Sequence, residues 1–107
     1  MNIHRLICSL LLCAAFTSSR AQSDTAQINR LLEKCYHWQY EQPDSMIRVG
    51  SVALQASKTL QYKIGIAKAS YYIGHAYHQQ HQYDSAILYM SQAIAHFDPK
   101  RDLDRLG

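Results

Sequence analysis

Little in this sequence could hold a small protein together except its own packing. Of 107 residues, three are cysteine: Cys8, Cys13 and Cys35. The first two sit in an apolar leader that is expected to be removed, which leaves Cys35 without a partner for an internal disulfide. There is no paired-cysteine motif, no H-E-x-x-H, no glycine-rich phosphate loop and no Ser-His-Asp arrangement that can be placed. The acids form no pair in an apolar setting, so nothing in the sequence asks for an enzyme. Charge is sparse as well: 18% of residues are charged, with a net charge of +3. Without Arg5 and Arg20 of the leader, nine Lys/Arg face eight Asp/Glu, a net charge of +1. The basic residues are scattered except at Lys100-Arg101. That balance excludes the electrostatic footprint of a nucleic-acid-binding protein.

The leader is the only long apolar run. His4 and Arg5 precede an almost unbroken apolar stretch from Leu6 to Phe16, and Thr17-Ser18-Ser19-Arg20-Ala21 comes after it. A spanning helix needs ~20 apolar residues, more than this run supplies. A basic start, a short apolar run and small residues at both recognition positions of Ser19-Arg20-Ala21 predict a secretory signal peptide over residues 1–21, cut before Gln22. Leu12 before Cys13 disfavours lipid attachment there. The expectation is an exported chain, periplasmic or secreted, with no membrane span beyond the signal segment.

From Ser23 onward the apolar residues keep a helical period. Ile28, Leu31, Leu32, Cys35 and Tyr36 recur at helical spacing within 23–40, and Glu41-Gln42-Pro43 interrupts them. Met46, Ile47, Val49, Gly50, Ala53 and Leu54 mark a second segment from Asp44 to Thr59. Between Ala67 and Pro99 two patterns stand back to back. Ile66, Ala69, Ile73, Ala76 and Tyr77 form one stripe, and Ala86, Ile87, Met90, Ala93, Ile94 and Phe97 form the other, separated by the polar run His78-Gln79-Gln80-His81-Gln82. Asp84 is expected to cap the last helix. Asp98-Pro99 is expected to close it, since proline cannot continue a helix. Gly74, Ala76, Ala86 and Ala93 lie at or beside the stripes, where small residues let two helix axes approach closely; Tyr77, Tyr83 and Met90 are expected to fill the space beside them.

This hairpin resembles a tetratricopeptide repeat (TPR). Ile73-Gly74-His75-Ala76-Tyr77 answers the family's Leu-Gly-x-x-aromatic element, and Ala86 with Met90 answers its Ala-x-x-x-bulky element. The signature continues in Tyr83 and Ala93. Ser70 stands where the family prefers tryptophan, His81 where glycine is usual, and Pro99 about one residue late. Pro43-Asp44-Ser45-Met46-Ile47 aligns with Tyr83-Asp84-Ser85-Ala86-Ile87 at an offset of 40 residues, longer than the usual ~34, which predicts helices about a turn longer than standard. Lys34 takes the place of Gly74 in the earlier copy. The expected organisation is an all-α, TPR-like α-solenoid: a degenerate or capping hairpin over 22–60, a TPR hairpin over 61–99, and the start of a truncated third repeat over 100–107. Two hairpins make a small core, so the chain is expected either to be a fragment of a longer protein or to self-associate.

In TPR proteins the first helix of each repeat lines a concave groove for peptides or partner helices. The resemblance places Lys68, Tyr71, His75, His78 and Gln79 there. It implies a protein–protein interaction scaffold or adaptor with a protein or peptide partner, no cofactor and no catalysis. A cleaved signal ahead of long-period repeats is also similar to the extracytoplasmic sensor segments of certain bacterial histidine kinases and transcriptional regulators; any output domain would then belong to other sequence. A third reading is a metal-binding module on His75, His78, His81 and His96, weighed against ordinary exposed histidines with no Cys or carboxylate at ligand spacing. Cys35 and His37, two residues apart, point to different sides of a helix, so a packed cysteine is expected rather than a nucleophile and base. Of Tyr71 and Tyr72, one is expected to face outward.

Overall fold

A computed structural model describes residues 24–100. The expected signal peptide, residues 1–21, and all but the first residue of the expected third repeat, 100–107, lie outside the described residues. The described residues are all-α, with four main helices and no strand: α1 (24–38), α2 (Pro43–Thr59), α3 (Lys63–Gln79) and α4 (Tyr83–Ala95). The last three begin at intervals of 20 residues, and short polar turns force each helix to run back along its predecessor.

Both ends of these helices are settled by backbone. Pro43 sits in the first turn of α2, where its missing N–H would have had no helical partner. Asp44 and Asp84 occupy first turns, where a carboxylate faces the positive end of the helix dipole. Asp84 does not cap, contrary to the sequence expectation. α4 starts one residue earlier with Gln82 as N-cap and no side-chain cap bond, and the Ala86 N–H donates to the Gln82 carbonyl at 3.0 Å.

α2 and α3 end in the same way. Tyr62 N–H donates to Ser57 O at 2.8 Å and Gln61 N–H to Lys58 O at 3.2 Å; Gln82 N–H donates to Tyr77 O at 2.9 Å and His81 N–H to His78 O at 3.0 Å. These paired bonds are Schellman caps, which require a left-handed residue just past the helix. Gln61 and His81 supply it at φ 54° and 62°, at the cost of a strain that glycine avoids.

The core joins three helices: Ile28 and Leu32 of α1, Ala53 and Leu54 of α2, and Ile66, Ala69 and Ile73 of α3. Close approaches are made at glycines. A Cβ on Gly50 would lie 2.9 Å from Ile73 Cγ1, and one on Gly65 would collide with Ser57 Oγ and stand 2.7 Å from Tyr62 Cδ2. A Cβ on Gly74 would lie 3.0 Å from Met90 Cγ and 3.2 Å from both the Ala86 carbonyl and the Met90 N. Gly74 therefore lets the α3 and α4 backbones touch.

Several expectations about α4 are corrected. Its stripe is only half covered: Ala86 and Ala93 are buried and Met90 half-buried, but Ile87, Ile94 and Phe97 are exposed. α3 covers only the side of α4 that carries Ala86 and Ala93. Tyr83 is 52% exposed rather than core, whereas Tyr77 packs against the core as expected, stacked on Tyr89 with ring centroids 5.6 Å apart. Finally, α4 has 13 residues against 17 in α2 and α3, so the lengthening is not shared by all helices. Asp98-Pro99 does not itself close α4, which ends at Ala95 with His96 as its C-cap. Asp98 Oδ1 accepts the Lys100 N–H at 3.0 Å, and helical geometry resumes at 99–100 with Pro99 as its first residue.

Candidate interaction groove

α1 and α3 lie side by side because Ile28 and Leu32 share the core with Ile66 and Ile73. On their solvent side they leave a cleft of about 340 Å³ lined by Asn29, Leu32, Glu33, Tyr36, Tyr62, Lys68 and Tyr72. Tyr62 spans its edge and donates its hydroxyl to Asn29 Oδ1 at 3.1 Å. Glu33 and Lys68 bring one charge of each sign. Tyr72 is half-buried; burial above all, and then the neighbouring Cys35, Tyr71 and Tyr36, push its pKa upward and keep the phenol a neutral donor. The result is an open cleft that combines three tyrosines with an amide, a carboxylate and an ammonium group.

Of the five groove residues expected from sequence, Lys68 alone lines this cleft. Tyr71 stands beside it, exposed, with its ring edge-on to Tyr72 at 5.5 Å and stacked on His75 at 6.1 Å. His75 and Gln79 are spent elsewhere. His75 Nε2 donates to the Gln39 carbonyl at 2.9 Å, and the Gln79 amide Nε2 donates to the same oxygen. Tyr40 meets the His75 ring edge-on at 5.7 Å, and Gln80 Nε2 donates to Asp44 Oδ1. These residues tie the end of α3 to the turn between α1 and α2. The Gln79 Oε1 is left buried without a hydrogen-bond partner. His78 is exposed and turns toward Tyr83, at 5.6 Å.

The α1 half of the cleft, Asn29, Glu33 and Tyr36, and the residues Tyr62 and Tyr72 are missed by reading the repeat signature alone. The signature is strong only from Ile73 onward, so it directs attention to α3. The spacing of Asn29, Glu33 and Tyr36, four and then three residues along the polar side of α1, is the signal that could have found them.

The remaining candidates do not assemble a reactive site. Cys35 is fully buried, with Sγ 3.9 Å from the Met46 carbonyl, and burial pushes its thiol up to about 11, which makes it a poor nucleophile. His37 is exposed. His81 Nδ1 lies 2.9 Å from the Tyr83 hydroxyl and His96 Nδ1 lies 3.0 Å from the Gln92 carbonyl. No group of three His, Cys, Asp or Glu is placed to share a metal ion among the described residues. A second cleft, about 400 Å³, lies at the α3–α4 turn between His81, Gln82, Tyr83, Asp84 and Ser85. No helix among the described residues is long and apolar enough to cross a membrane.

No protein-family model matches the sequence. No curated protein and no solved structure is significantly similar to it.

Proposed function

We propose that this chain is an exported helical-repeat module of TPR type that binds a protein or peptide partner and carries out no catalysis. The reading rests on one observation: two parallel-running helices, α1 and α3, leave an aromatic cleft lined by Tyr36, Tyr62 and Tyr72 with Glu33 and Lys68 at hand. Tyrosine suits such a surface because it offers large contact area and a polar tip at low conformational cost. Antiparallel helices that succeed one another every 20 residues, and the close contact of Gly74 with Ala86 and Met90, support the repeat reading. Export is proposed from the leader sequence.

Selecting peptides against the purified protein and measuring their affinity tests the groove. Tyr36→Ala and Lys68→Glu, both on exposed side chains, should weaken a selected peptide by about 30-fold or more if they sit at a hot spot. Tyr83→Ala, outside the cleft lining, should leave binding unchanged. Affinity that survives both groove substitutions sinks the proposal.

A further inference from the structure

The outer face of α4 is apolar and open. Ile87, Leu88 and Ile94 are 64%, 66% and 74% exposed, and Phe97 at its edge is 45% exposed. Ser91 and Ala95 share this face, since spacings of three, four and seven align on a helix. Asp84 is the only charged residue in α4.

Forty residues earlier, α2 is built differently. Arg48 and Gln55 stand where α4 has Leu88 and Ala95, and both are exposed. Leu54, the counterpart of Ile94, is buried in the core that includes α3. α4 is therefore apolar even where α2 turns polar side chains to water, and it needs a wider cover than α3 gives α2.

The character of α1 decides between two ways of supplying that cover from a second copy. End-to-end stacking would lay α1 of the next copy on α4. The positions that Ile66, Ala69 and Ile73 fill in α3 are held in α1 by Ala26, Asn29 and Glu33, all exposed. Burying the Glu33 carboxylate against Ile87 and Ile94 would strip its water with no partner in return. α4 itself is the apolar match.

We propose that two copies of this chain pair through α4, packed antiparallel about a two-fold axis that passes beside Ser91. This sets Ile87 and Leu88 of one copy against the partner's Ile94 and Ala95. The small Ser91 at the crossing lets the two axes approach. The open fractions of the four large side chains correspond to roughly 500 Å² a copy, or about 1,000 Å² for the pair, the lower limit of a specific interface. Such a contact closes at two copies, because each patch is used up by its own image. It leaves the α1–α3 cleft free and does not rest on the function proposed for it.

Sedimentation equilibrium of the whole protein across the micromolar range tests the pairing. The apparent mass should double and then stop rising. Ile94→Glu, and separately Leu88→Glu, should return it to the single-copy mass with unchanged circular dichroism, since both side chains already face water in one copy. In a chain carrying Cys8→Ser and Cys13→Ser, Ser91→Cys should yield a disulfide-linked pair on oxidation, and Arg48→Cys on α2 should not. A single-copy mass at every concentration, growth beyond two copies, or a pair that survives Ile94→Glu overturns the proposal.

Discussion

The two hairpins, α1–α2 and α3–α4, carry glycine on opposite helices and use it against different neighbours. In the first, Lys34 on α1 is exposed, Met46 on α2 is fully buried, and Gly50 on α2 admits Ile73 from α3. In the second, forty residues on, the corresponding residues are Gly74, Ala86 and Met90, and it is α3 that carries the glycine. Bulk lost at one position returns at another, so the space between helices stays filled. The turns differ too. The α1–α2 turn has no left-handed residue, and the end of α3 holds it through His75, Gln79 and Gln80; the α3–α4 turn closes on itself around His81. The first hairpin is thus stabilised by its neighbour and the second largely by its own backbone contacts.

Breaking the shared element should have the largest effect. Ile73 is fully buried and sits between the hairpins, against Gly50. Ile73→Ala should cost about 2–5 kcal/mol, read as a fall in the urea midpoint, and should loosen both hairpins together. A loss below about 1 kcal/mol would show that the hairpins do not depend on one another through this residue.

Next comes the glycine of the second hairpin. Gly74→Ala gains up to about 1 kcal/mol of helix propensity. It also pushes a methyl against the Ala86 carbonyl and the Met90 N, which are backbone and cannot swing aside. A net loss of about 1–2 kcal/mol is expected from such overpacking. The matching change in the first hairpin, Lys34→Ala, should stay within about 0.5 kcal/mol because that side chain is already in water. Equal effects at the two positions would erase the distinction drawn between the hairpins.

The smallest effect concerns the turns. His81→Gly relieves a left-handed non-glycine residue and should stabilise by about 0.5–1 kcal/mol, partly offset by the greater freedom of glycine when unfolded. Tyr40→Gly, in a turn with no such strain, should give no gain. Thermal melts of the two variants side by side would sharpen the contrast, and a stabilised Tyr40→Gly would remove it.

Much of the helical layout was legible in the residues. Segments expected over 23–40 and 44–59 compare with helices at 24–38 and Pro43–Thr59, because apolar spacing and Pro43 are local signals. The close contact at Gly74 was legible for the same reason: a small residue in an apolar stripe marks where a neighbour comes near. The groove was less so. His75 and Gln79 sit on the expected helix, but only the fold brings the Gln39 carbonyl within their reach, 36 and 40 residues away in sequence. Likewise Ile87 and Ile94 carry the pattern of core residues, and nothing local says that their side of α4 stays open.

By itself, then, the sequence determined an all-α chain, the approximate extent of its helices, and the point at Gly74 where two helices touch, since each depends on residues within a turn or two of one another. The tertiary structure decided which faces are covered, that the cleft belongs to α1 and α3 together, and that His75 and Gln79 reach the Gln39 carbonyl. Those outcomes depend on atoms brought together from distant parts of the chain, and burial is a property of such neighbours rather than of any side chain alone.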